Sequence, residues 1–424
     1  MSSLPWRRVL YPGLLLFGVS LSLSKSASTA LLVGLYLSAF VAAWRDREFR
    51  DDVLRSRRQP LTAALAFFSL VAYVGILYTE KYADGFNVAN KFVELPVIYL
   101  FVSAFLQSVR SEEERTRQAE SLLLSFIVGL TALNLFGLMT FFGAFGGVRY
   151  ALPLTPLGLH HIWFSNINAL GLYAGASFLL FSPRGRSLRA RVLLGSFLLV
   201  SVLCILLSTS RTAWFSIATT LAIMAAATIR SKKTVALVAL LSILTLAAVY
   251  RFVPLVHDRI NLVVEELTTY STDRYAESST GGRLLMWRAT LIMIKAHPLI
   301  GVGTGDFPYT LNVMRKQLRT RVVPRFLLGF NQPHNMYLFA MATNGVAGLT
   351  ALLYIFYRCL RPAAPVVRAG GAGRFFAFLA MATAVHFMVA GFLDSFFNIQ
   401  VLRYCFAFIM GVCIRNSAPC ERRS

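Results

Sequence analysis

Apolar runs long enough to cross a lipid bilayer recur from one end of the chain to the other. Most are about 17 to 25 residues long, and a transmembrane helix needs about 20. Hydrophobic residues make up 56% of the sequence and charged residues 14%, and the mean hydropathy is +0.61. This pattern predicts an all-α, polytopic membrane protein and excludes a soluble one.

Apolar runs bounded by charged or turn residues predict about twelve transmembrane helices. The first run follows Arg7 and Arg8, and we interpret it as a retained helix rather than a cleaved signal peptide. A long polar segment interrupts the series, so the chain divides into spans one to nine in 1–250, a partly helical loop in 251–333, and spans ten to twelve in 334–424. The predicted spans are 9–24, 27–44, 60–79, 92–109, 121–142, 161–181, 192–207, 212–229, 234–250, 334–357, 375–394 and 397–414.

The net charge of +23 would indicate a nucleic-acid partner in a soluble domain, but here its distribution indicates membrane orientation instead. Basic clusters fall on alternate connections between the predicted spans, and all of these lie on one side. Because cytoplasmic loops carry the excess of Lys and Arg, we expect both termini to be cytoplasmic. The clusters lie within 7–8, 45–58, 110–117, 184–191, 230–233, 358–374 and 415–423.

The segment 251–333 is the exception, because it lies on the opposite side and still carries eleven cations against six acids. Long loops escape the charge rule, so the excess fits two interpretations: adhesion to anionic lipid, or binding of an anionic substrate. Within it, Gly281 to Pro298 predicts an amphipathic helix with Trp287 at headgroup depth. Arg283 and Arg288 lie about 140° apart around such a helix, so they need not share a target.

Two further stretches of this loop have weaker patterns. The sequence GVGTGDF, from Gly301 to Phe307, resembles a dinucleotide fingerprint, but no strand precedes it. We therefore interpret it as a tight turn. The basic stretch from Met314 to Arg325 is predicted to form a surface helix.

Arg211 lies in a turn between two spans on the same external side as the long loop. Its guanidinium is suited to bidentate binding of a lipid diphosphate at that depth. The alternative is a snorkelling side chain that anchors a helix end.

His334 and Asn335 open the tenth span directly after the long loop. An imidazole with a reference pKa near 6.5 is a suitable general base at such a boundary. A histidine that caps the helix is the alternative. Asn335 is expected either to orient a sugar or to cap the same helix, and Gly345 and Gly348 to permit close packing.

Other polar residues form a second group of candidates. His160 and His161 begin the sixth span on the external side, and Asn166 and Asn168 lie one to two turns inside it. All four fit an acceptor groove or simple interfacial side chains. Asp394 is expected to pair with Arg403, because intramembrane charges are costly, or alternatively to orient His334. His386 is predicted to be a packed or paired interior residue.

Three motifs occur in order between Ser208 and Gly348: an SxSR turn ending at Arg211, an RxxxW helix followed by HPLIGVGTGDF, and HN-x9-G-x-x-G starting at His334. With these motifs the chain resembles the O-antigen ligase and O-antigen polymerase family. The last motif looks like the signature of the ligases and of related oligosaccharide transferases that act on proteins. The first half of the chain is similar to the family only in hydropathy.

The resemblance implies a bacterial inner-membrane enzyme whose active site faces the periplasm, with 251–333 as a large periplasmic loop. It implies inverting transfer of O-antigen glycan from undecaprenyl diphosphate to a hydroxyl of lipid A-core, without a cofactor or metal. His334 is the catalytic base that this implies, and Arg211, Arg283, Arg288 and Asn335 are candidate substrate-binding residues. Preplaced cations would stabilise the leaving diphosphate.

Two other functions stay open. Polymerisation of lipid-linked repeat units, or transfer of glycan to protein, would share the same donor chemistry. The HN-x9-G-x-x-G motif and the single dominant external loop favour the ligase. A transporter of anionic lipid or glycan should instead place its polar residues near the bilayer midplane. No DxD motif occurs in the sequence, which favours a metal-free mechanism.

Overall fold

A computed structural model describes most residues of this chain, and helices account for the regular secondary structure of those residues. The described residues are 6–144, 153–229, 254–268, 279–317, 330–371 and 373–416, together with isolated positions between 231 and 251. No β-strand occurs in these ranges, so the predicted all-α fold class is confirmed.

Fifteen α-helices lie within the described ranges, and we number them in chain order. They are α1 Arg7–Leu23, α2 Lys25–Arg45, α3 Arg47–Arg57, α4 Pro60–Val74, α5 Tyr82–Ser108, α6 Glu112–Phe141, α7 His161–Phe181, α8 Leu188–Leu207, α9 Arg211–Thr228, α10 Pro254–Thr268, α11 Ser279–Ala296, α12 Phe307–Gln317, α13 Met336–Ala369, α14 Arg374–Ala390 and α15 Gln400–Asn416.

Seven helices in the described ranges are long and apolar enough to cross a membrane: α2, α4 with its 3₁₀ extension to Tyr78, α5, α6, α7, α8 and α13. Shorter apolar helices, α14 and α15, coincide with the last two predicted spans. Helices α1 and α9 coincide with the first and eighth. The predicted ninth span, 234–250, lies largely outside the described residues. The protein is therefore a multi-pass membrane protein.

Several helices extend beyond the apolar runs that predicted them. Helix α5 begins at Tyr82, about ten residues before the predicted span. The carboxylate of Asp306 accepts hydrogen bonds from the backbone N–H groups of Glu80 and Lys81 at 2.7 and 2.9 Å, which fixes the segment that leads into this helix. Helix α6 begins at Glu112, where the Ser111 side chain caps the first turn. Such caps satisfy the free N–H groups of a helix start, so polar residues continue the helix into water.

The long loop contains three helices, α10 to α12, within its described residues. Helix α11 confirms the predicted amphipathic helix and ends before Pro298. The predicted surface helix at Met314 begins earlier, at Phe307, and its residues 318–325 lie outside the described residues. Helix α11 packs against α13, so the loop is joined to the membrane helices rather than separate from them.

The predicted ion pair between Asp394 and Arg403 is wrong. Arg403, on α15, is 1% exposed and pairs with Glu94 on α5, with its Nε 2.8 Å from the carboxylate. Its Nη1 also donates to the carbonyl oxygen of Phe397 at 2.8 Å. A buried charge needs several partners, and those of Arg403 come from α5 and from the segment just before α15, which are far apart in the sequence. Hydropathy alone could not select Glu94 over Asp394.

We expect Glu94→Ala to lower the free energy of unfolding by about 3 kcal/mol, the lower end of the range for breaking a buried pair, because the Glu94 side chain is itself 31% exposed. The change leaves the Arg403 guanidinium without its counter-charge. Unfolding of the purified protein in mixed micelles measures the effect. The double variant Glu94→Leu/Arg403→Met removes both charges and should regain most of the loss. Equal instability of the single and double variants would contradict the assignment.

Candidate active site

His334 lies in a sharply bent segment just before α13. Its backbone φ is +50°, in the left-handed region that a residue other than glycine rarely adopts. The residues on both sides are fixed: the Trp287 indole N–H donates to the Pro333 carbonyl oxygen at 3.0 Å, and Asn335 caps α13. The surrounding contacts therefore hold the strained backbone that aims the imidazole.

Asp394 is the partner of the His334 imidazole. The His334 Nδ1 and Asp394 Oδ1 atoms lie 3.0 Å apart, and the same oxygen accepts a hydrogen bond from the Ser395 backbone N–H at 2.8 Å. The Asp394 side chain is 3% exposed and that of His334 is 24% exposed. A carboxylate on Nδ1 favours the tautomer with a proton there, which leaves Nε2 as an acceptor. Of the two expectations for Asp394, the structure shows the one in which it orients His334.

The start of α13 is bonded to the end of α14. The Met336 N–H donates to the Gly391 carbonyl oxygen at 2.7 Å, and the Tyr337 hydroxyl to that of Met388 at 2.8 Å. Gly391 also packs against the Met336 side chain, where a Cβ atom would meet Met336 Cε at 2.6 Å. These contacts fix the spacing between the segments that carry His334 and Asp394.

Asn335 has the capping role that was one of its two expectations. Its Oδ1 accepts from the N–H groups of Tyr337 and Leu338, both at 3.0 Å, and its Nδ2 donates to the Phe392 carbonyl oxygen at 3.1 Å. The residue is buried. Asn335 is therefore a helix cap, which was the alternative expectation.

A cavity of about 250 Å³ lies where α7, α9 and α11 meet. Arg211 and Arg283 line it together with His161, and the N-terminal turns of α7 and α9 form much of the wall. A helix N-terminus carries a partial positive charge and free N–H groups. Two guanidinium groups and two helix starts thus make this cavity suited to an anion. Its lining residues are Pro153, His161, Ile162, Thr209, Ser210, Arg211, Thr212 and Arg283.

The turn before α9 places Arg211 at this cavity. Thr209 has a φ of +54°, and the Ser210 side chain accepts a hydrogen bond from the Ala213 N–H as the cap of α9. The Trp214 indole N–H ties the new helix back to the Ile205 carbonyl oxygen of α8 at 3.1 Å. The chain therefore reverses direction within a few residues, and Arg211 is the first residue of the helix.

Helix α11 connects the cavity to His334. Arg283 and Trp287 are one turn apart on the same face, so one lines the cavity while the other holds Pro333. Arg288 is exposed on another face of the helix. The structure therefore does not bring Arg288 to the cavity, in keeping with the expectation that the two arginines need not share a target, and a substrate contact of Arg288 stays a prediction.

His160 and His161 stand at the start of α7. Their rings stack with centroids 4.4 Å apart, and the His160 Nδ1 accepts from the Ile162 N–H at 3.4 Å. Partial burial lowers the pKa of His160, Asp394 opposes this shift, and His334 and Arg283 add to it. His160 therefore senses the charges of both the cavity and the His334–Asp394 pair.

Asn168 does not line the cavity. It is fully buried, its Oδ1 accepts from Asn134 of α6 at 2.7 Å, and its Nδ2 donates to the Phe164 carbonyl oxygen at 3.1 Å. Asn168 therefore holds α7 against α6 from behind, and an acceptor contact at this residue stays a prediction. His386 is buried between the Tyr173 hydroxyl and Asn166, as expected for a paired interior residue.

The glycine-rich turn after α11 docks into a break in α13. Residues Asn344 and Gly345 leave the helical conformation, which frees backbone groups inside the helix. The Val302 and Gly303 N–H groups donate to the carbonyl oxygens of residues 342 and 343 at 2.8 and 3.0 Å, and the Val346 N–H donates to the Pro298 carbonyl oxygen at 3.1 Å. The expected tight turn is confirmed, and its amide groups bond to protein.

Gly345 permits this docking because its φ is +60° and a Cβ atom there would lie 2.1 Å from the Leu299 carbonyl oxygen. Gly301, in the turn, lies equally close to the backbone of α13, because a Cβ atom at Gly301 would lie 2.4 Å from the Thr343 carbonyl carbon. Asn344 Nδ2 donates to the Thr304 hydroxyl at 2.8 Å. Gly345 therefore allows close packing, but against the turn rather than against another helix.

Within the described ranges, no group of three His, Cys, Asp or Glu side chains has the arrangement of a metal site. The protein is thus a multi-pass helical membrane protein. Its candidate site consists of a cavity suited to an anion and of the His334–Asp394 pair.

A comparison with protein families matches the part of the chain that carries most of the candidate site residues. Residues 195–353 match a family model described as O-antigen ligase, and this segment contains Arg211, Arg283 and His334. This segment, less than half of the chain, is therefore similar to the O-antigen ligase and polymerase family, as the motifs indicated. Asp394 and His160 lie outside the matched segment and join the site only in the folded chain.

The chain is also similar to a protein of Haemophilus influenzae described as uncharacterized. The two are 28% identical over 100 residues, which is 24% of this chain and 24% of that protein. The chain thus matches about a quarter of the relative's length, and the similarity carries no activity with it.

We expect Gly345→Ala to disrupt the docked turn, because the new methyl group cannot fit against the Leu299 backbone and the residue has positive φ. The variant should lose at least about 2 kcal/mol of stability, as for other strained backbone positions. Thermal unfolding in detergent measures it.

Gly34→Ala is the matched control, since nothing lies within 4 Å of a Cβ atom at that position of α2. It should be neutral or slightly stabilising. Equal behaviour of the two variants would contradict the docking role of Gly345.

Proposed function

We propose that this protein is an O-antigen ligase that transfers a glycan from a lipid diphosphate to an acceptor hydroxyl. The observation that carries the proposal is the placement of Arg211 and Arg283 in one cavity, with Trp287 of the same helix bonded to the residue before His334. The family match supports glycosyl transfer of the ligase or polymerase type. A leaving-group site and a base thus share one structural support.

The cavity suits the leaving diphosphate. As the bond between the anomeric carbon and the diphosphate oxygen breaks, the electron pair stays on that oxygen and negative charge grows there. The two guanidinium groups belong to residues that line this cavity together with the starts of α7 and α9, so positive charge surrounds the place where we expect the diphosphate to leave. Preorganised donors need no rearrangement during the reaction, so they stabilise the transition state more than the ground state.

His334 acts as the general base. The acceptor hydroxyl oxygen forms the new bond to the anomeric carbon, and its proton passes to the Nε2 atom of His334. Asp394 holds Nδ1 and stabilises the imidazolium that forms. Attack from the side opposite the diphosphate inverts the anomeric centre. No step requires a nucleotide sugar.

The donor that we propose is undecaprenyl-diphosphate-linked O-antigen, and the acceptor is an outer sugar of lipid A-core. The site would face the periplasm of the bacterial inner membrane, with both chain termini in the cytoplasm. The basic clusters support this orientation, because 45–58, 110–117 and 184–191 all lie at helix ends opposite to Arg211 and His334 along the series of spans.

Alanine variants of the site test the proposal in a strain that lacks the chromosomal gene. His334→Ala should slow transfer by about 10²- to 10⁴-fold. Arg211→Ala and Arg283→Ala should each slow it by about 10²- to 10³-fold, as the loss of a charge-stabilising donor does. Lipopolysaccharide gels should show lipid A-core without long glycan, while lipid-linked polymer accumulates.

His297→Ala and Lys295→Ala are matched controls, because both residues are exposed at the end of α11 and neither lines the cavity. Both should support normal lipopolysaccharide. Normal long-chain product with His334→Ala would refute the base assignment. Loss of the polymer itself would favour a polymerase, and loss of lipid-linked glycan from the periplasmic leaflet would favour a transporter.

Asp394→Asn tests the tautomer argument. An amide can donate to Nδ1, which would leave the proton on Nε2 and remove the base. We expect transfer at neutral pH to fall by about 10²-fold or more with little change in the affinity for donor. Purified protein in liposomes with defined donor and acceptor gives both quantities. A variant that changes only donor affinity would contradict the role of Asp394.

A further inference from the structure

A row of rings leads away from the cavity along the start of α7. His161 lines the cavity, and the His160 ring stacks on it. The Trp163 ring lies 5.4 Å from that of His160, tilted by 40°. At the far end the Lys25 ammonium of α2 stands 4.3 Å from the centre of the Trp163 ring.

This row remains accessible at its outer end. His160 and Lys25 are exposed, and Trp163 is partly exposed. The Lys25 ammonium lies over one face of the Trp163 ring, so a group that stacks on this face displaces the ammonium to its own edge. Lys25 begins α2 just after the Ser24 cap, so its backbone is fixed while its long side chain can move.

The row has the chemistry of a saccharide subsite. The C–H bonds on one face of a pyranose ring pack well on an indole or imidazole face, and the ring hydroxyls keep bonds to water and to nearby polar groups. A cation at the edge adds attraction for a phosphate or carboxylate substituent on the sugar. His160 is also close to the charges of His334, Asp394 and Arg283, so the inner end of the row adjoins the reacting groups.

We propose that Trp163 and Lys25 form a subsite for the acceptor glycan, with an anionic sugar stacked on Trp163 and paired with Lys25. This inference rests on the proposed function. The donor leaves its diphosphate among Arg211 and Arg283, so the acceptor must approach from another direction to place its hydroxyl at His334. The sugar that carries the hydroxyl then lies over His160, and the next sugar lies over Trp163.

The subsite also sets specificity. Arg211 and Arg283 recognise a group common to every lipid diphosphate, so they cannot select the acceptor. A ring and a cation two rings away from the cavity read the sugar beside the one that reacts. An acceptor without an anionic group at that sugar loses the contact with Lys25, although the chemistry at His334 is unchanged.

Binding and kinetics with purified protein test the subsite. The probes are the deacylated core oligosaccharide for the acceptor and inorganic diphosphate for the donor cavity. Trp163→Ala should weaken oligosaccharide binding and raise the acceptor KM by about tenfold, while diphosphate binding and kcat stay within about twofold. Trp163→Phe keeps an aromatic ring, so its oligosaccharide affinity and acceptor KM should lie between those of the wild type and of Trp163→Ala.

Lys25→Ala should weaken binding of the oligosaccharide by about threefold to tenfold at low salt, and the difference should shrink at high salt because screening weakens an exposed charge pair. Lys25→Arg should restore it. Trp44→Ala is the matched control, since Trp44 is 76% exposed at the opposite end of α2. It should change neither binding nor KM.

The outcomes separate this inference from the proposed function. Unchanged oligosaccharide binding in Trp163→Ala overturns the subsite, and so does an equal loss for oligosaccharide and diphosphate, which would indicate a structural contact between α2 and α7. If Trp163→Ala weakened only the binding of diphosphate, the row of rings would belong to the donor site, and the acceptor subsite would also be overturned. Failure of the proposed function would appear elsewhere, as normal glycan transfer by Arg211→Ala and His334→Ala.

Discussion

The site depends on the exchange of backbone hydrogen bonds between the broken helix α13 and the turn after α11. A helix interrupted inside a membrane has unsatisfied N–H and C=O groups, each of which is costly unless it finds a partner. The turn at 298–303 supplies those partners. Helix α11 is therefore held near α13 at two points: this contact follows its C-terminal end, and Trp287 in its middle donates to Pro333, just before α13.

A second group of contacts fixes the catalytic pair independently of the loop. The end of α14 accepts hydrogen bonds from the start of α13, so Asp394 and His334 keep their relation through main-chain bonds. The cavity for the anion uses another set of elements, α7 and α9. The loop helix α11 is the element that brings these two parts together. Displacement of α11 would separate a cation from the base while leaving each part folded.

The sequence was informative where chemistry and position coincide. Apolar runs predicted most helices, and the short motifs predicted that Arg211, Arg283 and His334 belong together.

The sequence was misleading where a polar residue had a choice of partners. Arg403 could pair with Asp394 or with Glu94, and the packing of α5 against α15 decided for Glu94. Asn335 and Asn168 were chosen as polar residues near the site, but both satisfy backbone or interhelix hydrogen bonds. Helical angles alone separated Arg288 from Arg283. Trp287 was assigned to the headgroup region because a single sequence does not reveal its bond to Pro333.

The docked turn has a consequence for how related chains can diverge. Most of the bonds that hold 298–303 against α13 use main-chain atoms, which every amino acid except proline presents alike. Side chains there can change freely, apart from the glycines that allow the close approach. Inserting or deleting one residue would be far more damaging, because it would shift every donor past its acceptor. In related chains, the amino-acid sequence of this stretch should therefore vary while its length stays the same.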